Sequence, residues 1–236
     1  MKSFAAFDFD GTLIRWQLYH ATVDKLANSG ALGENAKEIL KQSRMIWKRR
    51  ETPEAFKNYE KTLIELYESA LTDLPVKEFN KCVHLVTEEY KQQTYIYTRE
   101  LIKKLKKQGY VLLAISGSHE ELVQEIAKYY GFDDWVGTKY AHDNNRFTGK
   151  KFIASKNKKV ILNKLIQKHN LSLKGSVAIG DSQSDINMLE IVEQPIAFNP
   201  DWSLYKKAKQ QGWKIVIERK NVVYELDKKD DRYILV

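Results

Sequence analysis

Phe4-Ala5-Ala6-Phe7-Asp8-Phe9-Asp10-Gly11-Thr12 is an apolar run that ends in two acids and a glycine. The same construction recurs at Val111-Leu112-Leu113-Ala114-Ile115-Ser116-Gly117-Ser118 and at Val177-Ala178-Ile179-Gly180-Asp181-Ser182-Gln183-Ser184-Asp185. Each run has the length and apolar character of a buried strand, and each stops at small or acidic residues. In an open α/β sheet, ligand groups collect beyond the carboxyl ends of parallel strands. The three tips are therefore expected to meet at one site containing Asp8, Asp10, Ser116, Asp181 and Asp185.

Between these runs the periodicity is helical, at about Arg99–Gln108, Glu120–Tyr130, Lys158–His169 and Ser184–Ile191, with a further strand near Trp135–Tyr140. Strands alternating with helices predict a parallel, doubly wound α/β sheet. Residues from about Leu18 to Tyr95 break the alternation. Apolar positions there recur at helical spacing, as in Leu63, Leu66, Tyr67 and Leu71, which predicts a helical insert interrupted at Gly30–Gly33, Thr52-Pro53 and Asp73–Pro75. Thr52-Pro53-Glu54 has the capping residue, N1 proline and acid of a new helix start. After a short strand at Ile196–Phe198 and a helix near Leu204–Gln211, three β-prone segments close the chain. The last two flank Asp227-Lys228-Lys229-Asp230-Asp231, the expected hairpin at a sheet edge.

Composition narrows the class. At 236 residues there is room for one core domain and a smaller appended one. Cys82 is the single cysteine, so no internal disulfide forms, and no Cys/His metal cluster is present. No apolar run approaches the ~20 residues needed to span a bilayer, and the first residues lead into a strand instead of a signal-peptide core. A cytoplasmic, membrane-free protein is expected. With 39 Lys plus Arg against 31 Asp plus Glu, the net charge is +8, which attracts anions at a distance. Clusters such as Lys48-Arg49-Arg50 and Lys103-Lys104 fall on predicted helix surfaces or loops and read as solvated faces, so nucleic acid is not the expected partner.

The DxDGT pattern at Asp8–Thr12 and the GDxxxD pattern at Gly180–Asp185, in this order and each after a strand, resemble the haloacid dehalogenase superfamily of aspartate-nucleophile phosphatases. Ile115-Ser116-Gly117-Ser118 and Ile196-Ala197-Phe198-Asn199-Pro200 look like its phosphoserine phosphatase branch. The resemblance covers roughly residues 4 to 217. It implies a Rossmann-like core, residues 1–16 and 96–236, with a helical cap inserted as residues 17–95. It also implies a Mg²⁺-dependent phosphomonoesterase for a small phosphorylated metabolite, working through an aspartyl-phosphate.

By that resemblance Asp8 is the nucleophile and Asp10 the general acid and base. Asp8, the backbone carbonyl of Asp10, and Asp181 would hold Mg²⁺, with Asp185 near the metal or orienting a lysine. Ser116 and the Gly117 amide would bind phosphoryl oxygens, and a lysine before the last motif would complete the charge. Lys156, Lys158 and Lys159 compete for that role, and Lys158 fits the spacing best. The substrate-reading residues are less legible. Gln17 stands where the branch carries a glutamate, Arg15 and Trp16 lie where the chain enters the cap, and Arg44, Arg49 and Arg50 are candidates for a carboxylate-binding arginine. Trp16, Trp47 and Tyr67 could line an aromatic pocket. A phosphotransferase or phosphomutase on the same core, and a basic nucleic-acid-binding module, are the competing functions. Neither the leaving alcohol nor the oligomeric state is legible in the sequence.

Overall fold

The computed structural model describes residues 1–52, 54–230 and 232–236. Its centre is a nine-stranded sheet in the order β4-β3-β2-β1-β5-β6-β7-β8-β9. The strands are β1 (Lys2–Phe7), β2 (Val111–His119), β3 (Asp134–His142), β4 (Phe147–Phe152), β5 (Leu171–Gly180), β6 (Gln194–Phe198), β7 (Lys214–Arg219), β8 (Val222–Lys229) and β9 (Arg232–Leu235). From β3 across to β7 all pairings are parallel, while β4, β8 and β9 extend the two edges by antiparallel hairpins.

The helices are α1 (Leu18–Asn28), α2 (Ala36–Arg49), α3 (Ala55–Ala70), α4 (Val76–Tyr90), α5 (Ile96–Lys107), α6 (Glu120–Tyr130), α7 (Lys158–Lys168), α8 (Ile186–Leu189) and α9 (Trp202–Gln211). Side chains alternate across β1 with the period of two that a strand imposes. Phe4 and Ala6 pack with Leu162, Leu165, Met188 and Leu204 on one face. Ala5 and Phe7 pack on the other with Ile102, Leu122 and the insert residues Leu63, Tyr67, Phe79 and Val83. The insert therefore shares one continuous core with the sheet.

The chain leaves for α1 and returns from α4 at the same place. Arg15 N–H donates to Gln93 O at 2.8 Å and Tyr95 N–H donates to Leu13 O at 3.0 Å, so the two linkers pair side by side. Glu218 on β7 then receives the Ile96 and Tyr97 amides at 3.0 and 2.8 Å, satisfying the first free donors of α5.

Three expectations need correction. The strand expected over 110–115 continues through Ser116–His119, because the β2–β3 pairing resumes at His119 opposite Thr138. The turn around Asp143–Arg146 leads into β4, a strand absent from the sequence reading because only Phe147 of its six residues is buried. Past the last motif, the expected helix is a 3₁₀ turn over Gln183–Asp185 and a four-residue α8. The expected terminal hairpin forms as β8 and β9. Pro53 of the Thr52-Pro53-Glu54 helix start and Asp231 of the tail lie outside the described residues. Among the described residues no helix is long and apolar enough to cross a membrane.

Candidate active site

Asp8 follows β1 and Asp181 follows β5, the strand beside it, so both acids emerge at the carboxyl end of the sheet. Asp8 N–H donates to Ile179 O at 3.0 Å, which continues the ladder one residue past the strand and fixes the side-chain direction. On the other side of β1, β2 brings Ser116 and Ser118 to the same end.

Lys158, the first residue of α7, is buried, and its Nζ donates to Asp8 Oδ1 at 2.7 Å and to Asp185 Oδ1 at 2.5 Å. A cation at a helix N-terminus opposes the helix dipole, so the two carboxylates must hold it there. Burial works against the ammonium, but Asp185 and then Asp8 prevail and raise its pKa above the ordinary lysine value. Lys156 and Lys159 are exposed.

The other oxygen of Asp185 accepts the amides of Asp181 and Ser182 at 3.2 and 3.0 Å and the Ser182 hydroxyl at 3.1 Å. Ser182 and Asp185 form a reciprocal capping box. Thus Asp185 caps its own turn and clamps Lys158 at once.

Glycine is required twice. Gly11, at φ +76°, has no room for a β-carbon because Asp181 occupies the space, and at Gly180 a β-carbon would overlap Asp185.

Asp10 is held by three donors. Leu18 N–H reaches Oδ1 at 2.5 Å, the Ser118 hydroxyl reaches Oδ1 at 3.0 Å, and the Ser116 hydroxyl reaches Oδ2 at 2.6 Å. Ser116, expected on a phosphoryl oxygen, is engaged with Asp10 instead. Gly117 lies inside β2, and its carbonyl accepts the Thr138 hydroxyl at 2.7 Å. Thr12 Oγ1 donates to Asp8 Oδ2 at 3.3 Å, and the Thr12 carbonyl accepts from Thr98 at 3.0 Å.

Asp8, Asp181 and Asp185 each present a carboxylate oxygen within 4.8 Å of the others. Burial, partly offset by Lys158 and reinforced by Asp185 and Asp10, pushes Asp8 up to about 7. Asp181 keeps one solvent-facing edge, yet burial, then the Asp8 and Asp185 charges, raise it well above the carboxylate range. Such crowding calls for a cation. The donors are all hard oxygens, the set that suits Mg²⁺, and Asp8 and Asp181 retain more free donor capacity than Asp185.

The remaining candidates separate. Arg15 is exposed and lies over the Tyr95 ring at 5.6 Å. Trp16 packs against the core cluster, and Gln17 is the N-cap of α1 without a side-chain capping bond. Arg44 is taken by both oxygens of Asp24 and by the Tyr59 hydroxyl. Arg49 pairs with Glu51 at 3.5 Å, and Arg50 ends α2 in a left-handed conformation at φ 55°. The expected Trp16–Trp47–Tyr67 pocket does not form. Trp47 stacks on Tyr59 at 5.4 Å, while Tyr67 joins a separate cluster with Tyr19, His119 and Tyr140.

Sequence reasoning missed Ser118, Asp201 and His119. Asp201 accepts the Gln183 amide at 2.8 Å and caps α9 through Leu204 at 2.7 Å. The signal available for it was its N-cap position before the Leu204–Gln211 pattern.

The sequence profile of the haloacid dehalogenase-like hydrolases matches residues 5–190. The chain is 29% identical over 210 residues to a phosphoserine phosphatase of Methanocaldococcus jannaschii, covering 88% of this chain and 90% of that one. It is 25% identical over 228 residues to a histidinol-phosphatase of Neisseria meningitidis serogroup C, covering 92% and 99%. A solved phosphoserine phosphatase, captured as a phospho-aspartyl intermediate analogue, superposes with a TM-score of 0.64 at 26% identity, covering 93% and 95%.

Proposed function

The chain belongs to the haloacid dehalogenase-like hydrolase family and is a phosphatase, and on that premise we propose that it hydrolyses a small phosphomonoester through an aspartyl-phosphate on Asp8, with Mg²⁺ and with residues 17–95 as its cap. The observation that carries this reading is the bridge of Lys158 Nζ between Asp8 and Asp185, beside Asp181.

Asp8 attacks phosphorus and the ester oxygen departs. Lys158 holds the attacking carboxylate in place and faces the charge on the phosphoryl group. Asp8, Asp181 and the Asp10 main-chain carbonyl would hold Mg²⁺, which supplies positive charge against the phosphoryl oxygens when bound. Asp185 stands behind Lys158, both of its oxygens engaged. Asp10 gives a proton to the leaving oxygen, then takes one from the water that cleaves the acyl phosphate. The Leu18 amide and the Ser118 hydroxyl hold it in place for both transfers. Ser116 and the Gly117 amide bind the phosphoryl group, Ser116 turning from Asp10 as it does so.

The substrate is not phosphoserine in this reading. Gln17 carries no charge for an ammonium group, and Arg44 is committed to Asp24 and Tyr59. The test is a panel of phosphomonoesters assayed with Mg²⁺ against Asp8→Asn as the blank. Phosphate release above that blank, lost on chelation, is expected; release equal to the blank on every ester sinks the proposal.

A further inference from the structure

Leu18 and Ser118 both donate to Asp10, and the next residue in each segment turns into a single aromatic cluster. Tyr19 stacks on His119 at 4.9 Å with the ring planes 3° apart. Tyr67, Phe79 and Tyr140 surround the same imidazole at 5.1 to 5.2 Å. Three of these rings come from α1, α3 and α4 of the insert, whereas His119 and Tyr140 come from β2 and β3. The cluster is thus a seam between insert and sheet, one residue beyond two of the donors that hold Asp10.

This seam contains polar atoms that the protein does not satisfy. His119 and Tyr67 are fully buried, and neither imidazole nitrogen nor the Tyr67 hydroxyl has a hydrogen-bond partner among the described residues. Buried polar groups are ordinarily paired, and leaving them unpaired is costly. Phenylalanine at both positions would pack as well and avoid that cost, so three such atoms one residue beyond the holders of Asp10 call for a ligand.

The surroundings define its chemistry. Burial keeps the imidazole neutral, its pKa pushed down to about 3, so it offers one donor and one acceptor. Burial likewise raises the Tyr67 and Tyr19 hydroxyls, which stay protonated. The acidic charges acting on these hydroxyls are Glu68 on both and Glu121 on Tyr67. The cations beside those acids are already engaged, Lys151 by Glu68 and Lys139 by Glu120, so neither is free for a carboxylate, whereas aromatic walls favour a flat group.

We propose that the seam is the leaving-group pocket, in which His119 and Tyr67 hydrogen-bond the non-phosphate end of a flat, carboxylate-free phosphomonoester. The proposal rests on the phosphatase reading above. With the rings in mutual contact the seam is closed, so entry requires the rings to part against the ties of the insert to the β3–β4 hairpin, Val76 N–H to Asn145 O at 3.0 Å and Lys151 to Glu68.

The experiment compares kcat/KM of the full chain with Mg²⁺ on four probes: histidinol phosphate and pyridoxine 5′-phosphate as flat esters, phosphoserine as a carboxylate-bearing one, and acetyl phosphate as a minimal one. In the wild type a flat ester should exceed phosphoserine at least tenfold. In His119→Phe and Tyr67→Phe, which keep the ring, the ratio of flat ester to acetyl phosphate should fall at least tenfold. A ratio within twofold of wild type, or a wild-type preference for phosphoserine, overturns the pocket while leaving the phosphatase standing. No Mg²⁺-dependent release from any probe, acetyl phosphate included, overturns the parent reading and the pocket with it.

Discussion

The α-carbon of Gly180 lies so close to the Asp185 carboxyl that a β-carbon there would overlap its Cβ, its Cγ and one oxygen. The glycine that ends β5 is therefore a spatial requirement of the clamp on Lys158. Gly180→Ala should displace Asp185 and release Lys158, costing about 1–3 kcal/mol of stability as other overpacked cores do, together with most turnover. Urea melts and Mg²⁺-supported phosphate release measure the two effects, and a variant with normal values for both contradicts the assignment.

Lys158 is a buried cation between two buried carboxylates. Removing one partner from such a cluster typically costs about 3–5 kcal/mol, because an uncompensated charge remains. Lys158→Met should lose stability on that scale in metal-free buffer at pH 8. Adding Asp185→Asn should recover part of it, and a double-mutant cycle gives the coupling. Strict additivity of the two losses would argue that the ion pairs carry no energy.

Burial pushes Asp8 up to about 7, against 3.8 for an ordinary aspartate, and Asp181 is shifted in the same direction. Folded protein thus binds these protons more tightly than unfolded chain, so their contribution is present below pH 4 and is lost as pH rises towards 7. His119 acts oppositely. Its pKa of about 3 against 6.5 means that its contribution is present above pH 6.5 and lost as pH falls through 3. In chelator, His119→Phe should remove the opposing slope and leave a melting temperature that falls from pH 4 to pH 7. Saturating Mg²⁺ should flatten that fall, and a variant whose stability rises over this range would show the wrong sign.

Asp8→Asn should keep the fold and abolish turnover, since an amide preserves shape but does not attack phosphorus. Asp10→Asn should instead discriminate by leaving group. Loss of a general acid costs about 10²–10⁴-fold for an alkyl phosphate, whose alcohol needs a proton, and much less for a nitrophenyl phosphate. Equal losses on the two esters would remove Asp10 from proton transfer.

Phosphoserine should not lead the substrate panel. Arg44, one of the three arginines that are candidates for a carboxylate, is held by Asp24 and Tyr59. Freeing it with Asp24→Asn should raise kcat/KM for phosphoserine severalfold relative to an ester without a carboxylate. A tenfold lead of phosphoserine in the wild type would refute the reading of both Arg44 and Gln17.

The acids were legible because each is announced locally: an apolar run, an abrupt end, and a glycine whose missing side chain makes room. Lys158 was favoured over its neighbours only by the family resemblance and not separable from Lys159 in the sequence, and it is the fold that turns Lys156 and Lys159 to solvent. Ser118 and His119 were hidden by a strand that continues past the point where its apolar residues stop, held there by pairing with β3. Arg44 looked available because its partner Asp24 belongs to another helix. Residues that act through distant partners leave no mark on their own neighbourhood, and β4, with one buried side chain, leaves almost none.

The paired linkers at residues 13–15 and 93–95 make the insert a detour that starts and finishes at one doorway. Loop closure consequently sets little limit on its length, since bridging two adjacent chain ends costs little more for a long excursion than for a short one. Packing is what constrains it instead, because Leu63, Tyr67, Phe79 and Val83 share a core with β1 and the Leu18 amide holds Asp10. The doorway thus costs the chain little entropy, and what fixes the insert against the sheet is the core that the two share.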